Sequence, residues 1–170
     1  MTNFDSITRM DSPIGRLELR ALKGKVVGIE IARGGRLGND GVPDSPSPVL
    51  EKARKQLDEY FAGKRTKFQI PISLEGTAFQ QSVWGAVNDI PFGKVLSYGE
   101  VGHETGRPTA GRAVGGAVGA NPIPIIIPCH RVTSAAGPEY YSAGDGPRTK
   151  SWLLDFEYNH LPPEKRTRLL

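Results

Sequence analysis

The chain has 170 residues, 38% of them hydrophobic, which suffices for one ordinary domain or two small packed ones around a real core. No run approaches the roughly 18 apolar residues of a membrane span. Met1-Thr2-Asn3-Phe4-Asp5 lacks the basic start and apolar stretch of a secretion signal, so a soluble, intracellular protein without a membrane partner is expected. One cysteine excludes an internal disulfide, and Cys129 with His103, His130 and His160 has no metal-ligand spacing, so no zinc site is expected. The formal charge of +4 comes from 13 basic and 10 acidic residues over 1–75 and 9 and 8 over 76–170. That even spread permits a nucleic-acid partner without arguing for one.

Along the chain, Leu17, Leu19 and Ala21 alternate, Lys23-Gly24-Lys25 turns, and Val27, Ile29 and Ile31 alternate again, predicting an antiparallel hairpin. Residues 33–48, rich in Gly, Pro, Asp and Ser, predict an exposed, mobile loop. Ser47 as N-cap and Pro48 in the first turn open a helix with an apolar stripe of Leu50, Ala53, Leu57, Tyr60 and Phe61, stopped by Gly63. Phe68, Ile70, Ile72 and Leu74 alternate, predicting a further strand. Thr77-Ala-Phe-Gln80 has capping-box spacing and starts a helix carrying Val83, Trp84, Val87 and Ile90 that ends before Pro91. Ser97-Tyr-Gly-Glu100 repeats the signature for a short helix ending at Gly106. Thr109 caps a third helix reaching about Gly119, and a last helix with Pro147 near its start carries Trp152, Leu153 and Phe156. Strands first and helices afterwards predict an α+β fold: a small N-terminal α/β domain over 1–75, then a mostly helical domain over 76–170.

Two short helices at 97–105 and 109–119 have the layout of a helix-turn-helix. The second contains Gly111, Gly115, Gly116 and Gly119, each costing about 1 kcal/mol relative to Ala in a helix interior. Such a weakened helix has two explanations: close packing against another helix, or close approach of a nucleic-acid backbone, with Arg112 its one long side chain. Next, Asn121-Pro-Ile-Pro-Ile-Ile-Ile-Pro-Cys129-His-Arg-Val132 carries an apolar run, Ile125 to Ile127, that reads as a buried extended segment delivering Cys129 after Pro128. Most lone cysteines are inert small hydrophobes. Positive charge from His130 and Arg131 beside this one favours its thiolate. In an extended strand, though, adjacent side chains diverge, so His130 reaches the sulfur only across a bend or through a water.

That run resembles the active-site signature of the O6-alkylguanine-DNA alkyltransferase family. Phe79-Gln-Gln-Ser-Val-Trp84, Ile90-Pro-Phe-Gly-Lys-Val-Leu-Ser-Tyr98, Arg112-Ala-Val-Gly-Gly116 and Lys150-Ser-Trp-Leu-Leu-Asp-Phe-Glu157 match further family blocks in order, and Ser12-Pro-Ile-Gly-Arg-Leu17 matches more loosely. The resemblance implies a ribonuclease H-like N-terminal unit and a helix-turn-helix domain. It also implies single-turnover transfer of an alkyl group from O6-alkylguanine, and from O4-alkylthymine, in double-stranded DNA. Cys129 matches the acceptor, His130 the water-linked base, Glu157 the acid that orients it, Asn121 the bridge between active-site turn and helix, and Tyr98 the proton donor near N3. Arg112 matches the finger that replaces a flipped base. Tyr98, Gly99, Arg107, Ala113, Gly115, Gly116 and Ser134 fall at DNA contacts; Tyr141, Ser142, Pro124 and Trp84 fall at the substrate pocket. The resemblance also implies neither a metal nor another cofactor, and a monomer, with cooperativity along DNA left open, cytoplasmic in a prokaryote and nuclear in a eukaryote.

Two departures stand out. Gly99 replaces a longer polar residue, and the loop 137–146 differs from the family's glycine–tyrosine–glycine arrangement, with Glu139 unexpected beside a pocket. The alternative readings are a lesion-binding relative without chemistry, which Cys129 opposes, and a cysteine hydrolase, for which adjacent Cys and His are poor geometry.

Overall fold

The computed structural model describes residues 3–107, 111–134 and 141–166. Lys23 and Gly24 both take positive φ, 52° and 79°, as a two-residue hairpin turn requires. They join β2 (Leu17–Leu22) to β3 (Lys25–Ile31) as predicted, but a third strand, β1 (Ser6–Met10), pairs with the far side of β2. It is polar: Ser6 and Thr8 are buried beneath a covering loop, so no apolar alternation announced it.

The hairpin also differs in phase. A register shift between Arg20 and Ala21 pairs Leu17, Leu19 and Ala21 with Ile31, Ile29 and Val26. Val26 therefore joins Ile29 and Ile31 in the core cluster, while Val27 is buried at 7% exposure.

Residues 33–48 are largely exposed, as expected, and are tied to the sheet by hydrogen bonds. Arg9 donates to the Asn39 carbonyl and, at 2.6 Å, to Asp44, while Asn39 donates to the buried Glu18 at 2.8 Å. Ser45 exchanges backbone hydrogen bonds with Ile7. Helix α1 (Pro48–Phe61) buries Leu50, Ala53, Gln56, Leu57 and Tyr60 against the sheet, and Gly63, at φ 76°, follows its end. Ser47 occupies the N-cap position without capping through its side chain; its Oγ instead accepts from Ser6 at 2.9 Å.

The strand expected over 68–74 is a single parallel bridge, Val26 to Ile72. Val26 N–H donates to Pro71 O and Val26 O accepts from Ser73 N–H, both at 2.9 Å. Pro71 itself has no N–H, so the ladder does not extend.

Both capping boxes form. Thr77 and Gln80 start α2 (Ala78–Asn88); Ser97 and Glu100 start α3 (Tyr98–Glu104). Just before α3, β4 (Leu96–Ser97) pairs in parallel with β5 (Val132–Thr133), a ladder that fastens the segment after Cys129 to the start of α3. Then come α4 (Gly111–Gly119) and α5 (Pro147–Asn159). Thr109, the expected cap of α4, lies outside the described residues. One contiguous cluster of buried residues runs from Leu17 on β2 through Trp84 on α2 to Leu153 on α5. The architecture is α+β, a three-stranded antiparallel sheet followed by a helical region.

Candidate active site

The segment before Cys129 is buried as expected but is a turn, not an extended strand. Pro122, Pro124 and Pro128 offer no N–H for a ladder. Ile127 N–H instead donates back to Ile123 O at 3.0 Å. Ile125 sits at φ 75°, a conformation β-branched residues rarely adopt. Asn121 braces this turn: its Oδ1 accepts from Ile123 N–H at 2.9 Å, and its Nδ2 donates to Ile127 O at 2.8 Å. The same amide reaches Cys129 Sγ at 3.1 Å. Cys129, His130 and Arg131 then form one 3-10 turn, so the divergence expected of an extended strand does not apply.

Cys129 is 2% exposed. Burial pushes its thiol up to about 12, against the Asn121 hydrogen bond and the positive charge of Lys150, which both lower it. Lys150 is itself buried, its Nζ donating to Val132 O at 2.6 Å.

His130 is fully buried. Its Nε2 lies 2.7 Å from Glu157 Oε2, so Nε2 carries the proton donated to the carboxylate. Burial lowers the histidine's proton affinity, outweighing the pull of Glu157, and keeps the imidazole neutral. Its Nδ1 lone pair has no hydrogen-bond partner among the described residues. A neutral imidazole with one nitrogen committed to a carboxylate and the other free is the form a general base takes.

For Glu157, burial raises the pKa. His130 and then Arg131 more than offset this, holding the carboxyl well below its usual range. Arg131 donates from Nε at 2.8 Å and from its second terminal nitrogen at 2.9 Å; Gly93 N–H and the Tyr60 hydroxyl complete the shell at 3.1 and 2.6 Å. Sequence reasoning missed Tyr60, Lys150 and the role of Arg131. Tyr60 was read as part of an apolar stripe, and nothing local joins it to a carboxylate 97 residues away.

Of the expected pocket residues, Tyr141 is buried, its hydroxyl unpartnered among the described residues, and burial followed by the charge of Cys129 pushes its phenol up. Pro124 is buried and lines a cavity of about 430 Å³ with Asn121, Arg33 and Ser142. Ser142 Oγ is committed to Gly119 O at 3.0 Å, at the end of α4. Trp84 is 1% exposed, with Nε1 donating to Ala117 O at 2.8 Å, a bond that ties α2 to α4. Residues 137–140, with Glu139, lie outside the described residues.

The helix pair is present. A Cβ at Gly102 would fall 2.8 Å from Arg107 O, so this glycine admits the turn between the helices. Val114, Ala117 and Val118 bury one face of α4, while Arg112, Ala113 and Gly116 are exposed. Added Cβ atoms at Gly111 and Gly116 would meet nothing within 4 Å, and at Gly115 only the Tyr98 ring at 4.0 Å. Close packing among the described residues therefore does not explain these glycines. Gly99 is exposed in the first turn of α3, Arg107 lies 5.0 Å over the Phe79 ring, and Ser134 is half-buried just after β5.

A single sulfur held by an amide, next to a neutral imidazole with a carboxylate behind it, suits proteins that accept a group on one cysteine. Two models of the 6-O-methylguanine DNA methyltransferase family match the chain, the ribonuclease-like domain over residues 7–74 and the DNA binding domain over 78–159. The methylated-DNA–protein-cysteine methyltransferase of Mycobacterium leprae is 42% identical over 155 residues, 87% of this chain and 89% of that protein. The constitutive protein of that name from Bacillus subtilis is 44% identical over 111 residues, 65% and 67% of the two chains. The crystal structure of Mycobacterium tuberculosis O6-methylguanine methyltransferase superposes with a TM-score of 0.83 at 38% identity, covering 93% of this chain and 95% of that one. That of Mycobacterium tuberculosis OGT in complex with DNA gives 0.76 at 39% identity, covering 92% and 94%. The chain belongs to the 6-O-methylguanine DNA methyltransferase family.

Proposed function

We propose that this protein repairs DNA by direct reversal, moving the alkyl group of O6-alkylguanine, and of O4-alkylthymine, irreversibly onto Cys129. The observation that carries the reading is the unpartnered Nδ1 of the buried His130, on the same 3-10 turn as the buried sulfur. Burial disfavours spontaneous ionisation of Cys129, so the step needs a base, and the neutral imidazole takes the thiol proton, directly or across a water. As Sγ bonds to the alkyl carbon, the carbon–O6 bond breaks and its electron pair passes to the purine. The Tyr98 hydroxyl supplies a proton near N3, and the imidazolium is held by Glu157. The thioether product is not hydrolysed, so each molecule acts once.

The lesion reaches the sulfur by leaving the duplex. Arg112 enters from the exposed face of α4 and fills the gap, while Gly111, Gly115 and Gly116 let the DNA backbone come close. Residues 76–170 read DNA and carry the sulfur; residues 1–75 brace the site from behind; the protein acts as a monomer.

Incubation with a duplex containing O6-methylguanine, followed by weighing the intact protein, tests the reading. A gain of one methyl group, absent in Cys129→Ala, is expected; binding without any gain in mass overturns transfer in favour of lesion recognition alone. The glycine argument has its own test. Gly116→Ala is expected to raise stability by about 1 kcal/mol, since alanine is the better helix former and the added methyl meets open space. The same variant is expected to weaken duplex binding severalfold. Unchanged duplex affinity contradicts the close approach.

A further inference from the structure

Tyr60 lies at the end of α1, in the N-terminal half of the chain, and its side chain is 0% exposed. Aromatic neighbours from three other segments hold its ring: Phe68 at 5.6 Å, Phe92 at 6.0 Å and Phe156 at 5.5 Å between centroids. The ring thus cannot swing, and its hydroxyl points at one acceptor, Glu157 Oε2, 2.6 Å away. That oxygen also serves His130 Nε2 at 2.7 Å and one terminal nitrogen of Arg131 at 2.9 Å. A carboxylate offers about four lone-pair sites. Here the two oxygens face five donors, the remaining two being Arg131 Nε and Gly93 N–H. The phenol therefore competes with the imidazole for electron density on the same oxygen.

We propose that Tyr60 is a positioning residue for alkyl transfer, fixing Glu157 and weakening its pull on His130 so that the imidazole remains a neutral base. The role rests on the transfer reading above. A buried tyrosine needs an acceptor in any case. What distinguishes positioning from simple hydrogen-bond satisfaction is that the phenol's removal changes the protonation of a different residue. The charged and titratable groups around the pair are Arg131 from the 3-10 turn, Lys150 from α5, and Cys129 and Tyr141 nearby; all remain when the hydroxyl is removed. Burial and then the charge of Glu157 raise the Tyr60 phenol well above its usual range, so it stays protonated and can only donate.

Tyr60→Phe keeps the ring and loses the donor. With less competition on Oε2, Glu157 stabilises the imidazolium better, and the titration of His130 moves up. Imidazole nitrogen NMR of the full chain reads this directly, independently of any transfer activity. An upward movement of about half a pH unit or more is expected. In single-turnover transfer from an O6-methylguanine duplex, the acid limb follows: about threefold slower than wild type at pH values below the His130 titration, and equal within about twofold at pH 8.5. In a Glu157→Gln background the same substitution is expected to have no such effect. A purely structural role lowers the melting temperature and slows transfer equally at every pH. That pattern, or an unmoved His130 titration, overturns the proposal. Should Tyr60→Phe not fold, 3-fluorotyrosine placed at position 60 is a stronger donor and is expected to move the titration downward; no movement there overturns it equally. If wild type transfers nothing, the transfer reading fails while the His130 titration still decides the coupling.

Discussion

Glu157→Gln is expected to slow alkyl transfer by about 100-fold or more, the range over which a positioned general base contributes to a proton transfer. The amide is isosteric, but it offers one acceptor oxygen where the carboxylate receives Tyr60, His130, Arg131 and Gly93. It also carries no charge to hold an imidazolium. Glu157→Ala goes further. Among the described residues it leaves the buried Arg131 guanidinium with the Ile90 carbonyl, at 2.6 Å, as its hydrogen-bond partner. Breaking a buried pair by removing one member costs about 3–5 kcal/mol. At about 2–4 °C per kcal/mol for a chain of this size, the melting temperature is expected to fall by about 10 °C.

The pH dependence of stability follows with its sign. His130 and Glu157 both take up protons less readily folded than unfolded, so each contributes stability above its ordinary value, 6.5 and 4.5, that is lost as pH falls below it. In Glu157→Gln the lower of these losses should disappear. Thermal melts between pH 7 and pH 3 and single-turnover rates check both parts. Wild-type rates in the glutamine variant would remove the carboxylate from the mechanism.

Arg112→Ala is expected to separate two substrates. Transfer from duplex DNA should fall by about 100-fold, because extruding a base costs a few kcal/mol and the substituted chain has nothing to fill the gap. Reaction with free O6-methylguanine base should change less than about twofold, since no extrusion is needed. Arg112 is exposed, makes no ion pair among the described residues, and is the long side chain on a face otherwise formed by Ala113, Gly115 and Gly116. Its removal therefore leaves the fold and the sulfur's surroundings untouched. Parallel rate measurements on the two substrates suffice, and an equal loss on both would place Arg112 in the chemistry rather than in extrusion.

What was legible in the sequence is what short-range geometry decides. Thr77 with Gln80 and Ser97 with Glu100 lie one helical turn apart, and each pair closes its box without help from elsewhere. The α1 stripe was equally plain, because five residues at helical spacing need only a surface to face. The order of the motifs around Cys129, with Asn121 before it and Glu157 after it, also belongs to the chain itself. The alternation at 68–74 misled, because a strand needs a partner and the chain supplies one bridge at Ile72 beside a proline. The register shift at Arg20 was hidden for a related reason: it is a property of the paired strands, absent from either one alone.

The sequence by itself determined the helices, the polarity of their faces and the presence of one cysteine within a string of family motifs, since each depends on neighbours a few bonds away. Tertiary structure alone decided that Ile125 to Ile127 form a turn closed by the Asn121 side chain. It also brought Tyr60 from α1 to the carboxylate that holds His130, and left Gly111 and Gly116 of α4 facing open space among the described residues. Those features arise where distant segments share one acceptor or one surface. Burial then turns proximity into chemistry by removing the water that would otherwise compete for the same hydrogen bonds.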